Sequence, residues 1–168
     1  AVGLKFRIQA SDVIAAQFQA LDATPLKKPF SEVFILLQTK GIDGQENTWS
    51  NIYSKKFFEV QAYITESDHG VVDYMVVTSV EFWQSLPEDV RSVLEQCIAQ
   101  ATDFTNQVAY LKAVDDKEKI LESGRSEIIQ LDAAERQHWI DAMKPVWAEF
   151  EEEIGADLIA AAQAASDG

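Results

Sequence analysis

The chain has 168 residues, which suits one domain or two small ones and is enough to bury a sizeable core. A net charge of −14 argues against nucleic acid and anionic membrane surfaces as partners, since both bind basic faces. The single cysteine, Cys97, excludes an internal disulfide and a CxxC motif, and no apolar run approaches the ~20 residues of a membrane span. A small anionic ligand stays open, because one well-placed arginine can dominate a local field.

The first segment, Leu4 to Gln9, alternates apolar and polar residues and predicts a short strand. Phe6 and Ile8 share one face of this strand, and Arg7 points to the other face. No signal-peptide pattern precedes the strand, so we expect the targeting segment of an exported protein to have been removed. Ser11 is a predicted N-cap for the helix that follows.

Helical and extended patterns then alternate along the chain. Thr24 to Pro29 is predicted to be extended because its two prolines disfavour a helix, and Ser31 is predicted to cap the next helix. Thr78 and Glu81 are predicted to form a capping box. The remaining predictions are a helix that begins near residues 47–50 and strands over residues 60–65, 71–77 and 126–131.

The C-terminal part is predicted to contain two further helices. Pro87 opens a long helix, and Gly124 ends it. Asp132 and Glu135 form a predicted capping box for the last helix, which Pro145 should kink. The predicted apolar side of this last helix is Trp139, Met143, Trp147, Phe150, Ile154 and Leu158.

Apolar residues in the long helix recur at a regular 4-3 spacing, which is an a/d seam and predicts a buried face. They are Val90, Leu94, Cys97, Ala101, Phe104, Val108 and Leu111. The seam makes Cys97 a predicted small core residue. Because strands alternate with helices over the whole chain, the pattern favours an α/β architecture with a partly parallel sheet.

Arg7 is the sharpest candidate for a ligand contact. A guanidinium donates two parallel hydrogen bonds to a carboxylate, and a position within a strand would hold it rigidly. The alternative is a surface arginine on an exposed strand face.

The stretch from Gly41 to Asn51 concentrates hydrogen-bonding side chains beside apolar sequence. Gln45, Asn47 and Asn51 could donate to the oxygens of a ligand. Alternatively, Asn47 could cap the helix through Ile52. The stretch is therefore either a polar junction, a ligand-facing rim, or both.

Two carboxylates in this stretch, Asp43 and Glu46, could form a catalytic pair, or could balance charge and bind backbone amides. No nucleophile–base pair can be named, and therefore we do not predict an enzyme. His69 lies in a turn between two predicted strands, where a histidine is usually structural. There is no HExxH, Walker A, GxGxxG or GxSxG pattern, so no metal or cofactor is predicted.

Five sequence blocks, taken in order and spacing, resemble the extracytoplasmic solute-binding proteins of TRAP transporters, the DctP family. They are Gly3–Arg7, Pro29–Phe34, Leu37–Thr39, Asp43–Asn47 and Phe57–Val60. The resemblance covers essentially the whole chain. The runs 42–53 and 64–77 are most similar to the C4-dicarboxylate branch of the family.

This resemblance implies a periplasmic-binding-protein-like fold, with two α/β lobes that close on an organic acid, a mixed sheet and long C-terminal helices. It implies that Arg7 binds the ligand carboxylate, that Asn47 faces the ligand and that Phe30 packs on it. It also assigns His69 to the ligand site. Thr48 stands where many members have proline and is expected to loosen the start of a helix.

Family members are roughly twice as long, and this chain resembles their C-terminal half. We therefore expect about half of the two-lobe fold, completed by a missing N-terminal half or by a domain-swapped oligomer. Residues 1–70 are assigned to the ligand-binding lobe and residues 71–111 to a lobe-crossing strand and the long helix. Residues 112–168 are assigned to a C-terminal strand and helices that pack back on the first lobe.

Three functional hypotheses follow. The first is a periplasmic solute-binding subunit of a TRAP-type secondary transporter, which binds succinate, malate or fumarate through Arg7 and meets the membrane subunits of the transporter. The second is the same kind of protein with another acid, namely a keto acid, a sugar acid or sialic acid. The third is an oligomerising helical module without a ligand, which rests on the seam from Val90 to Leu111.

Overall fold

The structure is a computed structural model that describes residues 1–166. Strands and helices alternate along these residues, and the predicted α/β class is confirmed. In chain order the elements are β1 Lys5–Ile8, α1 Asp12–Ala20, β2 Thr24–Lys27, α2 Val33–Gln38, β3 Gly44–Gln45, α3 Trp49–Ser54, β4 Tyr63–Glu66, α4 Val80–Ser85, α5 Glu88–Ser123, β5 Glu127–Gln130, α6 Ala133–Glu149, α7 Glu151–Ile154 and α8 Ala156–Ser166. Single 3₁₀ turns lie at Phe30–Glu32, before α2, and at Phe57–Glu59, after α3.

Strand β1 is the middle strand of a parallel three-stranded sheet with the order β2-β1-β3. Strands β4 and β5 form a second parallel pair. Parallel neighbours need a crossover connection, and α1 and α2 supply the two connections within the three-stranded sheet. The carboxyl ends of β1, β2 and β3 therefore lie at the same edge of the sheet.

The buried apolar residues form two clusters. The larger cluster joins α2, α3, the second 3₁₀ turn and the end of α5, and consists of Val33, Leu37, Ile42, Ile52, Phe57, Phe58 and Ile120. The smaller cluster, Ile8, Phe18 and Ala23, fixes α1 against β1. Ile120 is fully buried, so it anchors the C-terminal part of the long helix α5.

Several predicted helix ends are confirmed. The Ser11 hydroxyl accepts a hydrogen bond from the Ile14 N–H at 3.2 Å, and Asp132 and Glu135 form the reciprocal capping box of α6. Gly124 ends α5 in the left-handed conformation, with φ of 62°.

Two predicted caps are wrong. Helix α4 is capped by Ser79, whose hydroxyl accepts from the Phe82 N–H at 3.1 Å, and not by a box of Thr78 and Glu81. Ser31 lies inside a 3₁₀ turn and caps nothing. An N-cap needs an extended backbone directly before the first helical residue, and this condition selects Ser79.

The predicted buried strand Val71–Val77 is wrong. Residues 67–79 form no strand, and Val71 and Val76 are 91% and 85% exposed. A strand exists only when a neighbouring backbone pairs with it, and no described segment forms such a pairing with residues 71–77. The apolar pattern is real, but nothing within residues 1–166 covers it.

The prediction of a buried seam on α5 is also wrong. Phe104 is 69% exposed, Leu111 is 65% exposed, and Cys97 is exposed rather than a core residue. The 4-3 spacing does place these residues along one stripe of a 36-residue helix, but the stripe faces away from both clusters. None of the described helices is both long and apolar enough to cross a membrane.

The predicted last helix is interrupted. Pro145 lies inside α6, which ends at Glu149, and α7 and α8 follow as separate helices. Gly155 stands between α7 and α8 with φ of 100°, a value that favours glycine. Met143 and Val146 are buried, whereas Leu158, predicted on the apolar side, is 62% exposed.

We expect Ile120→Ala to lower the free energy of unfolding by about 2–5 kcal/mol, because it opens a cavity in the larger cluster. The matched control is Leu121→Ala, the next position of α5, where the side chain is 51% exposed and the loss should be about 0.5 kcal/mol or less. Both values come from urea denaturation followed by circular dichroism. Equal losses for the two variants would contradict the packing of α5 described here.

Candidate functional site

Polar side chains gather where the three parallel strands end. Arg7 is the third residue of the middle strand, Lys28 directly follows β2, and Glu46 and Asn47 directly follow β3. Ligands of parallel α/β sheets bind outside the carboxyl ends of the strands. This edge is therefore the candidate functional site.

Arg7 is buried, and only some of the hydrogen-bond donors of its guanidinium group have a partner. It is 4% exposed, so the alternative of a surface arginine is wrong. Its Nε donates to the Lys28 carbonyl at 2.9 Å, and its guanidinium carbon lies 5.8 Å from the centroid of the Phe30 ring. Its Nη1 is buried without a hydrogen-bond partner. Because buried donors normally have partners, Nη1 is a free donor of the site.

Three side-chain amides form a chain beside this arginine. The side-chain amide Nδ2 of Asn51 donates to the side-chain oxygen Oδ1 of Asn47 at 2.9 Å. The Nδ2 of Asn47 in turn donates to the side-chain oxygen Oε1 of Gln45 at 2.5 Å. Helix α3 is capped by Thr48, whose hydroxyl accepts from the Asn51 N–H at 3.4 Å. The alternative role of Asn47 as a cap is therefore wrong, and Thr48 secures the helix start instead of loosening it.

A cavity of about 170 Å³ brings three of the four predicted site residues together. It is lined by Arg7, Gln9, Phe30, Asn47, Asn51, Val72 and Tyr74. The fourth predicted residue, His69, is not in the lining. Sequence reasoning placed Gln9 on the Arg7 side of the strand but gave it no role, and it missed Val72 and Tyr74. Their spacing of two residues, which puts them on one side of an extended segment, could have found them.

Phe30 connects the cavity to the core. Its ring meets the Phe57 ring edge-on, with centroids 5.8 Å apart and an interplanar angle of 81°. Phe57 belongs to the larger cluster, so the position of Phe30 is fixed from behind. The Lys55 ammonium lies 5.7 Å from the Phe30 centroid. Arg7 and Lys55 therefore put two positive charges around this ring, within a chain whose net charge is strongly negative.

Glu46 and Asp43 have different environments. The Glu46 side chain is 10% exposed, and its Oε1 is buried without a hydrogen-bond partner. Burial raises the pKa of Glu46, while the charge of Arg7 and a hydrogen bond from the Gln9 side chain oppose the rise. Asp43 instead accepts the Lys5 N–H at 2.8 Å. Asp43 thus binds a backbone amide, which was the alternative to a catalytic pair in the sequence analysis.

His69 lies behind Glu46. Its Nε2 is 3.9 Å from Glu46 Oε2, and its Nδ1 is hydrogen-bonded to the Ser67 hydroxyl at 2.7 Å. Its ring is edge-on to Phe18, with centroids 6.2 Å apart. Burial lowers the pKa of His69, and the Asp68 carboxylate opposes this effect. His69 therefore lies between Phe18 of the smaller cluster and the Glu46 carboxylate.

A second, larger cavity of about 530 Å³ is apolar and lies away from Arg7. Its lining includes Val76, Val77, Phe82, Trp83, Leu94 and Ile98. We call this surface, made by residues 71–79, α4 and the first half of α5, the exposed apolar face.

In the described part of the chain, no group of three or more histidine, cysteine, aspartate or glutamate side chains could hold a metal ion.

The chain matches the model of the family described as bacterial extracellular solute-binding protein, family 7, over residues 1–153. It is 61% identical to the C4-dicarboxylate-binding periplasmic protein DctP of Shewanella loihica, across 99% of this chain and 50% of that protein. It is 51% identical to the protein of the same name in Vibrio cholerae, again across 99% of this chain and 50% of the relative.

Solved structures give the same result. A TRAP periplasmic solute-binding protein of Shewanella oneidensis with bound succinate superposes with a TM-score of 0.94 at 59% identity. The match covers 98% of this chain and 54% of that chain. A TRAP periplasmic solute-binding protein of Pseudomonas aeruginosa with bound L-malate has a TM-score of 0.84 at 40% identity, across 89% and 52% of the two chains.

The chain spans about half the length of the curated relatives it matches. Within that half, the family model covers nearly all residues, and the likeness in sequence and fold is continuous. The chain therefore belongs to family 7 of the bacterial extracellular solute-binding proteins, the DctP family.

Proposed function

We propose that this chain forms one wall of the ligand site of a periplasmic TRAP solute-binding protein and that the ligand is a C4-dicarboxylate such as succinate, malate or fumarate. Two relatives at 61% and 51% identity bear the name of C4-dicarboxylate-binding proteins, and two similar structures hold succinate and L-malate. These findings favour a C4-dicarboxylate over a keto acid, a sugar acid or sialic acid.

The proposal rests mainly on one observation, the buried Nη1 donor of Arg7 that has no hydrogen-bond partner. A buried guanidinium with an unpartnered Nη1 is costly, and a ligand carboxylate would remove that cost by accepting the hydrogen bond. The guanidinium charge makes this bond stronger than a neutral one. Lys28 and Phe30 hold the guanidinium in place from the other sides, so the donor is fixed before a ligand arrives.

The other lining residues supply orientation and water exclusion. Asn47 and Asn51 lie at the cavity wall and belong to one amide chain, which fixes their orientation. Phe30 provides an apolar surface for the carbon skeleton of the acid. In this arrangement His69 supports the site from behind Glu46 and does not touch the acid.

We further propose that a second half, equivalent to the part of the relatives that this chain does not span, covers the exposed apolar face. Val71, Tyr74, Met75, Val76 and Val77 are each at least 79% exposed, which is unusual for a contiguous apolar segment. An extended apolar segment without paired backbone is suited to join a sheet built by another polypeptide segment. The assembled protein would then present the bound acid to the membrane subunits of the transporter.

Arg7→Ala should weaken succinate binding roughly 30- to 4,000-fold, since truncating one partner of a buried charge pair costs about 2–5 kcal/mol. Arg125→Ala, which removes an exposed arginine after α5, is the matched control and should bind as the wild type does. Calorimetric titration of the full natural polypeptide that carries this chain gives both affinities. Unchanged succinate binding by Arg7→Ala would sink the assignment.

Asn47→Ala and Thr48→Ala, at adjacent positions, should separate the ligand contact from the helix cap. Asn47→Ala should weaken succinate binding roughly tenfold or more through a lost hydrogen bond. Thr48→Ala should lower the free energy of unfolding by about 1 kcal/mol and leave affinity nearly unchanged. If the two variants affect binding equally, the roles given to these residues are wrong.

Hydrogen exchange should show what covers the exposed apolar face. The amides of residues 71–77 make no backbone hydrogen bonds within residues 1–166, so they should exchange at nearly the unprotected rate in the isolated chain. In the full natural polypeptide the same amides should be protected. Protection that grows with the concentration of the isolated chain would instead indicate a domain-swapped oligomer, and unprotected amides in both samples would contradict coverage.

A further inference from the structure

Glu46 is a buried carboxylate that the proposed binding mechanism leaves without a role. It follows directly after β3, at the strand edge where the Arg7 guanidinium also lies. Its side chain is 10% exposed, and its Oε1 has no hydrogen-bond partner. A carboxylate in such a place is costly unless a positive charge or a proton compensates it.

Arg7 supplies the compensating charge. The two side chains interact electrostatically, and each retains one buried polar atom without a hydrogen bond, Nη1 of Arg7 and Oε1 of Glu46. The Glu46 carboxylate therefore acts on the guanidinium through its charge and not through a hydrogen bond to Nη1. An acid that binds at Arg7 brings a second negative charge to the same guanidinium.

Resting on the proposed function, we propose that dicarboxylate binding at Arg7 is coupled to uptake of one proton by the largely buried, unpartnered Glu46 carboxylate. The proton comes from solvent and bonds to a carboxylate oxygen, so that no charge change occurs on the ligand itself. The neutral carboxyl group then no longer competes with the ligand for the guanidinium.

Charged and polar side chains face Glu46 from β1 and from the segment after β4. From β1, Arg7 favours the ionised carboxylate, and the Gln9 side chain does so too by hydrogen bonding. From the segment after β4, His69 approaches to 3.9 Å, and it is itself influenced by Asp68. Burial favours the protonated form and is the largest of these influences. Ligand charge acts in the same direction as burial, because it offsets the effect of Arg7.

The sign of the pH dependence follows from this balance. If the bound complex holds the Glu46 proton more tightly than the free protein, binding takes up a proton and affinity rises as pH falls. One coupled proton changes affinity by at most about tenfold per pH unit. Glu46→Gln imitates the protonated carboxyl group, so its affinity should be high and nearly independent of pH.

The test is calorimetric titration of the full natural polypeptide with fumarate from about pH 8 to about pH 5.5, because the coupled proton makes affinity rise as pH falls toward the titration of a carboxyl group. Fumarate is chosen because its carboxyl groups are more acidic than those of succinate and stay ionised over more of the range. We expect wild-type affinity to rise severalfold as pH falls and to converge on that of E46Q, which should bind more tightly at about pH 8.

His69→Gln is the second variant, because His69 lies 3.9 Å from Glu46 and an unperturbed histidine titrates in this range. It should retain the pH dependence of the wild type. A second measurement needs no variant: titration of the wild type in buffers with different ionisation heats counts the protons taken up, and we expect net uptake on binding.

The outcomes are distinct. Tight fumarate binding without proton uptake, equal pH slopes in wild type and E46Q, or a slope that disappears in H69Q would each overturn the inference and leave the proposed function standing. Failure of the wild type to bind any C4-dicarboxylate would overturn the proposed function, and the inference with it.

Discussion

The burial of one guanidinium on the middle strand of a parallel sheet governs the rest of this structure. Placing Arg7 there carries a desolvation cost, and the fold offsets it only in part, through the Lys28 carbonyl, the Phe30 ring and the charge of Glu46. Two of these partners follow from topology, because Lys28 directly follows β2, Glu46 directly follows β3, and both strands flank β1 in parallel. The incomplete compensation leaves a fixed donor, which is what an anion site needs.

The two buried clusters hold this arrangement from opposite sides. The smaller cluster fixes β1 through Ile8, the neighbour of Arg7 that points the other way. The larger cluster fixes the Phe30 ring through Phe57 and reaches the long helix α5 through Ile120. The position of the guanidinium thus depends on apolar packing behind β1 and behind Phe30, together with its own hydrogen bond to the Lys28 carbonyl.

The small cavity and the exposed apolar face share one segment, residues 71–79. Val72 and Tyr74 line the cavity beside Arg7, while Val76 and Val77 line the apolar cavity next to α4. Pairing this segment with another strand would therefore order both surfaces at once. If a second half pairs with this segment as we propose, the shared backbone would link the ligand site to lobe assembly.

The sequence by itself determined those features that depend on neighbouring residues, namely the first strand and several helix caps. The alternation of Leu4 to Gln9, the cap at Ser11 and the box at Asp132 and Glu135 each depend on neighbours within one turn or one pleat, and the structure has them all. The grouping of Arg7, Phe30 and Asn47 came from motif resemblance, because residues forty positions apart carry no local sign of contact. Tertiary structure alone decided that Cys97 and residues 71–77 are exposed and that Glu46 is buried. An apolar side chain in the sequence shows a preference for burial, and a charged one a preference for water. The sequence does not show which other part of the protein will cover either of them.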